Sequence, residues 1–189
     1  MIETAAVVVG LAATLALRAF ALVTALVLVA GALQKLRDLP SFRAAVADYR
    51  LLPDALVVPV ALAVSAAELL AGVALTVEPL RIPGAWLGTG VIGASTAAVA
   101  VNMLRGRTHI DCGCGGIEGR QPLSWALVVR NLVLVTGLVA STAVTAPLQA
   151  GALAYATLAA ATLAGLALYA AASQLIANRP LLAQLIERT

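Results

Sequence analysis

The sequence predicts an all-α integral membrane protein, and three observations carry that expectation. Hydrophobic residues fill 62% of the 189 positions and charged residues 11%, against about 45–50% and about 25% in soluble domains. Five stretches are long and apolar enough to cross about 30 Å of hydrocarbon. None of them alternates apolar and polar residues as barrel strands do, which leaves helices to satisfy the backbone in lipid. A mean hydropathy of +1.01 excludes a disordered chain. The net charge of +3 does not point to nucleic acid, because most basic residues sit at the ends of apolar runs and read as topology signals.

The first run, Ala5 to Leu33, is interrupted only by Arg18. Ala30-Gly31-Ala32 resembles a signal-peptide cleavage site, but the stretch before Arg18 is apolar and includes Glu3, a poor n-region. The run is therefore read as a retained helix. Leu56 to Val77 follows with a single charge, Glu68; then come Ala85 to Leu104, Trp125 to Ala146 and Ala150 to Ile176. Pro147 cannot continue a helix without losing a backbone hydrogen bond, which separates the last two. Gly84/Gly88, Gly93/Ala97 and Gly137/Ser141 put small residues one turn apart and suit close helix packing. Trp86 and Trp125 suit aromatic belts at opposite interfaces.

Between the first two spans, Ser41 is placed to cap a short helix whose Phe42, Ala45, Val46 and Tyr49 share one face, as in a helix lying on the membrane surface. After Pro180, Leu181, Leu182, Leu185 and Ile186 have the same character in a short amphipathic tail. Five crossings put Lys35, Arg37, Arg43, Arg50, Arg105, Arg107, Arg120, Arg179 and Arg188 on one side and only Arg81 on the other. The positive-inside bias assigns the first side to the cytoplasm.

Both cysteines fall in one loop, Asp111-Cys112-Gly113-Cys114-Gly115-Gly116. Two thiols one residue apart close into a disulfide only through a tight turn, for which the glycines supply backbone freedom. Strained, exposed disulfides are the labile or catalytic ones. Arg105, Arg107, Arg120 and His109 lie nearby in sequence and would favour thiolate. Two soft thiolates with His109 also suit Cu(I), while the donors are too few for a closed zinc site and no resident metal is expected. Met103 at the helix end reads as packing.

Charges inside a bilayer are costly and need partners. Arg18 lies 17 residues before Lys35 and Glu68 lies 15 after Pro53, or about 25 and about 22 Å deep at 1.5 Å per residue. Their similar depths predict an Arg18–Glu68 pair. Arg130, about 8 Å past Trp125, is expected with Asn102 and Asn131 to form a polar floor under the cysteine loop, or else to snorkel to headgroups.

Gln34-Lys35-Leu36, Phe42 to Tyr49 followed by Arg50-Leu51-Leu52-Pro53, and Glu68-Leu-Leu-Ala-Gly72 occur in an order that resembles the MauE family, methylamine utilisation proteins grouped with the DoxX-like four-helix membrane proteins. Asn102-Met-Leu-Arg105-Gly106-Arg107, Cys112-Gly-Cys114-Gly and Arg130-Asn131 continue the match, which spans about Arg18 to Ala146. The family usually carries a bulky residue after the second cysteine, where this chain has Gly115. The resemblance implies a DoxX-like four-helix bundle over 1–146, joined to a fifth transmembrane helix and tail over 147–189. It implies a multi-pass protein of the plasma membrane that supports maturation of the disulfide-rich small subunit of periplasmic methylamine dehydrogenase, beside a thioredoxin-like partner. Cys112 and Cys114 would be the redox pair, and Glu68, Arg105, Arg130 and Asn131 match further polar positions of the motif.

The architecture is also similar to the quinone-linked vitamin K epoxide reductase type. That type implies that the cysteine loop faces the oxidising compartment, against the charge bias. A single cysteine pair cannot relay electrons through thiols across the hydrocarbon. Either a quinone docks near the loop, or disulfides are exchanged with a partner on the same side. Three functions follow as alternatives: thiol–disulfide exchange, Cu(I) handling, and a membrane scaffold with dispensable cysteines.

Overall fold

The computed structural model describes residues 2–113, 121–145 and 151–186, with side chains described over 9–113, 121–145 and 151–178. It contains α1 (Ile2–Arg37), α2 (Leu39–Asp48), α3 (Asp54–Thr76), a 3-10 turn (Glu78–Leu80), α4 (Arg81–Leu104), α5 (Trp125–Ser141) and α6 (Ala152–Ile186). Stretches within α1, α3, α4 and α6 are long and apolar enough to span a bilayer, and α5 is a shorter apolar helix of 17 residues. The chain is a multi-pass membrane protein.

Helices α1, α3, α4 and α5 neighbour one another in a closed ring, and α6 packs outside it on α1. The centre of the ring is built from Ala21, Ala25, Leu28, Ala71, Leu75, Ala85, Ile92, Leu134 and Leu138. Small residues let the backbones meet. A Cβ added to Gly72 would stand 2.6 Å from Val29 Cγ2 and 2.8 Å from the Ala25 carbonyl oxygen. Gly84 meets Ala74 and Leu75 just as closely, whereas Gly93 faces nothing within 4 Å and is not a packing position. Trp86 and Trp125 are both exposed, at opposite ends of the bundle.

Three expected boundaries move. The fourth span ends at Ser141, not Ala146, because Arg81 takes carbonyls there: its Nη1 donates to Ser141 O at 3.0 Å and its Nη2 to Val144 O. Ser141 O is among the acceptors a helix end leaves unsatisfied. The C-terminal helix runs unbroken from Ala152 through Pro180 to Ile186, so the tail is not a separate element. The surface helix is capped by Asp38, whose carboxylate accepts from Ser41 N at 3.2 Å, and not by Ser41. Hydrogen bonding from the Ser41 side chain, and secondarily from its backbone N–H, holds the Asp38 carboxyl below its ordinary pKa. The expected inner face is otherwise as read: Ala45 and Tyr49 are buried, Phe42 and Val46 half-buried.

The Arg18–Glu68 pair does not form. Arg18 pairs with Glu78, and Glu68 pairs with Lys35, whose Nζ lies 2.6 Å from Oε2 and 2.9 Å from Oε1. An Arg18–Glu68 pair would require Lys35 and Pro53 to lie in one plane. With Gly72 on Val29 and Glu68 beside Gly31 and Lys35, α3 instead starts about two turns farther out than α1 ends, and α2 folds against that overhang. Lys35 is thus a buried side chain and not a surface topology charge. At the far end of the bundle Glu78 stands between Arg18 and Arg81, the latter with Nε 3.8 Å from Oε2. Arg81 then reaches α5. Glu78 in the 3-10 turn therefore ties the middle of α1 to the start of α4, and Arg81 carries the link to the end of α5.

Candidate functional site

The cysteine loop is fixed at its base. Cys112 N donates to Gln121 O at 2.8 Å and Leu123 N to Ile110 O at 3.2 Å, closing a short antiparallel bridge between Asp111 and Pro122. The Asp111 carboxylate accepts from Gly113 N at 3.1 Å and from Gln121 N at 3.3 Å. Gly113 has φ +67, a left-handed conformation that favours glycine. A Cβ there would also press on Ala45 at 3.1 Å and on the Phe42 ring at 3.3 Å. The loop is seated so closely on α2 that a side chain at position 113 would have to push Ala45 and Phe42 aside.

Cys112 is buried, 7% exposed, in an apolar cluster with Tyr49, Val99, Ile110, Leu123, Leu127 and Val128, and Met103 packs against the same cluster. It is in its disulfide form. The other cysteine, Cys114, and Arg120 lie outside the described residues. The Tyr49 hydroxyl donates to the Cys112 carbonyl oxygen at 3.0 Å. Burial, and secondarily the negative charge of Asp111, push the Tyr49 phenol well above its ordinary pKa, so it remains a donor across the physiological range.

The other sequence-selected residues divide by location. Arg107 is a clamp: Nη2 donates to Asp48 O at 2.8 Å, and Nη1 to Tyr49 O at 3.2 Å and Asn102 Oδ1 at 3.3 Å. These bonds satisfy carbonyls at the end of α2 and tie that helix to α4. Asn102 is fully buried and also donates to Ala98 O at 3.1 Å; it supports the clamp rather than the cavity. Arg105 and His109 are exposed.

Glu68, Arg130 and Asn131 meet Cys112 across a cavity of about 320 Å3 that is mostly apolar and also lined by Lys35, Phe42, Tyr49 and Tyr169. On one wall lies the Lys35–Glu68 pair, with Lys35 Nζ 5.4 Å from the centre of the Phe42 ring. On the other, Arg130 donates to Asn131 Oδ1 from Nη2 at 3.2 Å and from Nε at 3.4 Å. Its guanidinium stands 5.5 Å from the centre of the Tyr169 ring of α6, within reach of a cation–π interaction. Arg130 therefore turns toward α6 and the cavity, not to headgroups alone. Among the described residues, no group of three or more His, Cys, Asp or Glu gathers where it could hold a metal ion.

Reading the sequence missed Lys35, Phe42, Tyr49 and Tyr169 as parts of this site. A signal existed for two of them, since Phe42 and Tyr49 share the inner face of α2. Lys35 looked like a helix-end charge, and Tyr169 lies on a helix outside the recognised motif.

A family profile described as Methylamine utilisation protein MauE matches residues 11–146. A protein named Methylamine utilization protein MauE from Paracoccus denitrificans is 46% identical over 110 residues, 58% of this chain and 59% of that protein. Proteins of the same name from Paracoccus versutus and Methylophilus methylotrophus are 40% identical over 103 residues (54% of this chain, 55% of the relative) and 46% over 93 (49% of each). The chain thus matches about half to three-fifths of the length of these relatives. No solved structure matches. The matched segment contains α2–α5, the cysteine loop and all of the cavity's lining except Tyr169, and by that match the chain belongs to the MauE family.

Proposed function

We propose that this protein serves methylamine utilisation as a membrane thiol–disulfide exchange protein, with Cys112 and Cys114 as its redox pair. The closed ring of four helices would be the DoxX-like unit, residues 1–146, to which the α6 segment, residues 147–189, is added. The client is a disulfide-containing extracytoplasmic protein of the methylamine dehydrogenase type, reached directly or through a thioredoxin-like partner. In the exchange, a client thiolate attacks one sulfur of the pair, a mixed disulfide forms, and the second client thiol resolves it. The client gains a disulfide, and the pair leaves with two electrons and two protons.

The observation that carries this reading is the placement of Cys112. A disulfide-bonded cysteine is held by a stapled loop base, the Tyr49 hydroxyl and the packed face of α2, against a cavity that also contains a buried ion pair. A structural staple would join distant segments, whereas the chain's two cysteines stand one residue apart. Copper handling gains no comparable support, since His109 is exposed while Cys112 is buried.

The test is client maturation in cells carrying C112S, C114S or both, with mixed disulfides trapped by acid quenching. Either single variant should abolish maturation, and one of them should accumulate a client adduct. Full maturation in the double variant would leave only a scaffold. Labelling both cysteines in intact cells with a membrane-impermeant thiol reagent, with and without prior reduction, reports the side of the membrane.

A further inference from the structure

The cavity beside Cys112 is continuous in its walls with a second hollow. A groove of about 870 Å3 lies among α1, α5 and α6, lined by apolar residues apart from Arg130 and Tyr169. The two share Arg130, Leu134 and Tyr169. The inner cavity is of a size that suits a small ring compound and places polar groups on facing walls: the Lys35–Glu68 pair and the Arg130–Asn131 pair. The outer groove presents Phe20, Val23 and Leu168 of membrane-spanning helices. Together they describe a guest with a compact polar head and a long apolar tail, arriving from the bilayer. The cysteine pair also needs an electron acceptor, and a guest of that kind can supply one. The chain has two cysteines in all, so its electrons cannot continue through further thiols.

Resting on the thiol–disulfide reading above, we propose that the inner cavity receives the ring of a membrane quinone and the outer groove its isoprenoid tail. The ring reoxidises the cysteine pair. Two S–H bonds break and one S–S bond forms; the quinone takes up the two electrons and two protons and leaves as the quinol. Lys35 and Asn131 donate hydrogen bonds to the ring's carbonyl oxygens. Two of the three ammonium hydrogens are matched by Glu68 oxygens at 2.6 and 2.9 Å, and the third serves the quinone. The Tyr169 ring, beside Arg130, stands at the junction of the two hollows.

Binding is read from Trp125, which lines the outer groove. The full chain carrying W86F is placed in lipid nanodiscs and titrated with decylubiquinone. Trp125 fluorescence should fall saturably, equally with and without C112S, because binding does not require the thiol. A98F or S95L, each filling the inner cavity from α4 and each checked for an unchanged melting profile, should weaken the quenching at least tenfold. An isoprenoid alcohol of matched length, which lacks the ring, should not compete. Non-saturable quenching, or equal displacement by the alcohol, overturns the quinone site. In the second arm the reduced wild-type protein should yield one quinol per chain and C112S none. Saturable binding without quinol overturns the electron transfer and leaves the ring site. Absence of binding, beside loss of client maturation in C112S, overturns the quinone site and leaves the exchange function intact.

Discussion

The Lys35–Glu68 pair can be tested as a free energy. Both residues are at least nine-tenths buried, and at 2.6 Å their direct attraction at an effective dielectric of about 20 is about 6 kcal/mol. Removing both charges from water costs several kcal/mol per ion, so the intact pair is nearly neutral in net stability while either charge alone is not. Lys35→Met and Glu68→Leu should therefore each cost about 3 kcal/mol. The double variant should recover most of the summed loss of about 6 kcal/mol, because each substitution removes the other's orphan. The assay is reversible unfolding of purified protein in mixed micelles, followed by far-UV circular dichroism, over the four members of the cycle. Combining Arg18→Met with Glu68→Leu supplies the control, and that cycle should be additive because Arg18 pairs with Glu78. Additivity within about 0.5 kcal/mol for Lys35 and Glu68 would refute the register assigned to α1 and α3.

Three further outcomes follow from other contacts. Gly72→Ala drives a Cβ into the Ala25 carbonyl and Val29 and should cost about 1–3 kcal/mol, while Gly93→Ala, with nothing within 4 Å, should leave thermal unfolding unchanged or slightly raised. Arg81→Met removes the donors to Ser141 O and Val144 O and should cost about 2–3 kcal/mol; melting equal to wild type would show that α5 ends at Ser141 without it. Tyr49→Phe should cost about 1 kcal/mol at neutral pH through its lost bond to Cys112 O. Because the Tyr49 pKa is raised in the fold, the unfolded state loses its proton first as pH climbs through the ordinary value of 10.0. Stability present below that pH then declines above it. The Phe variant should flatten that decline, and parallel alkaline profiles would contradict the burial of the phenol.

What the sequence disclosed and what it concealed divide along a physical line. Membrane helices and the inner face of α2 are written in the local order of apolar residues, so Phe42, Ala45, Val46 and Tyr49 were readable as one stripe. The cysteine loop was readable because Cys112 and Cys114 are the only cysteines in the chain. Register between helices is not written locally. It depends on which small residues let backbones meet, and Gly72 against Ala25 and Val29 sets α3 about two turns beyond the end of α1. From that offset come the exchange of partners by Glu68, the burial of Lys35, and the overhang on which α2 rests. Arg107 was expected beside the thiols, but the carbonyls ending α2 are nearer acceptors in need of donors. Tyr169 was hidden for another reason: α6 leaves nearly all its span exposed, and nothing in a uniformly apolar helix marks the one ring that closes a cavity.

The two ends of the bundle perform different work, and the distribution of charge shows why. At the far end, Glu78 pairs with Arg18 and Arg81, and Arg81 donates to Ser141 O at the end of α5, contacts whose consequence is to hold helices together. At the cysteine end, Lys35–Glu68 and Arg130–Asn131 instead face a space. An apolar pair of similar volume would serve stability as well as a buried ion pair does, so stability alone does not account for two polar pairs around a cavity beside a disulfide. On the proposed quinone reading the two pairs serve the guest, whose carbonyl oxygens need donors that water cannot supply at that depth. A K35M/E68L chain should therefore fold almost as well as wild type and still lose quinone-ring binding at least tenfold. Stability and binding must separate in that single variant; if both survive, the ion pair is only a fastening like its counterpart at the other end.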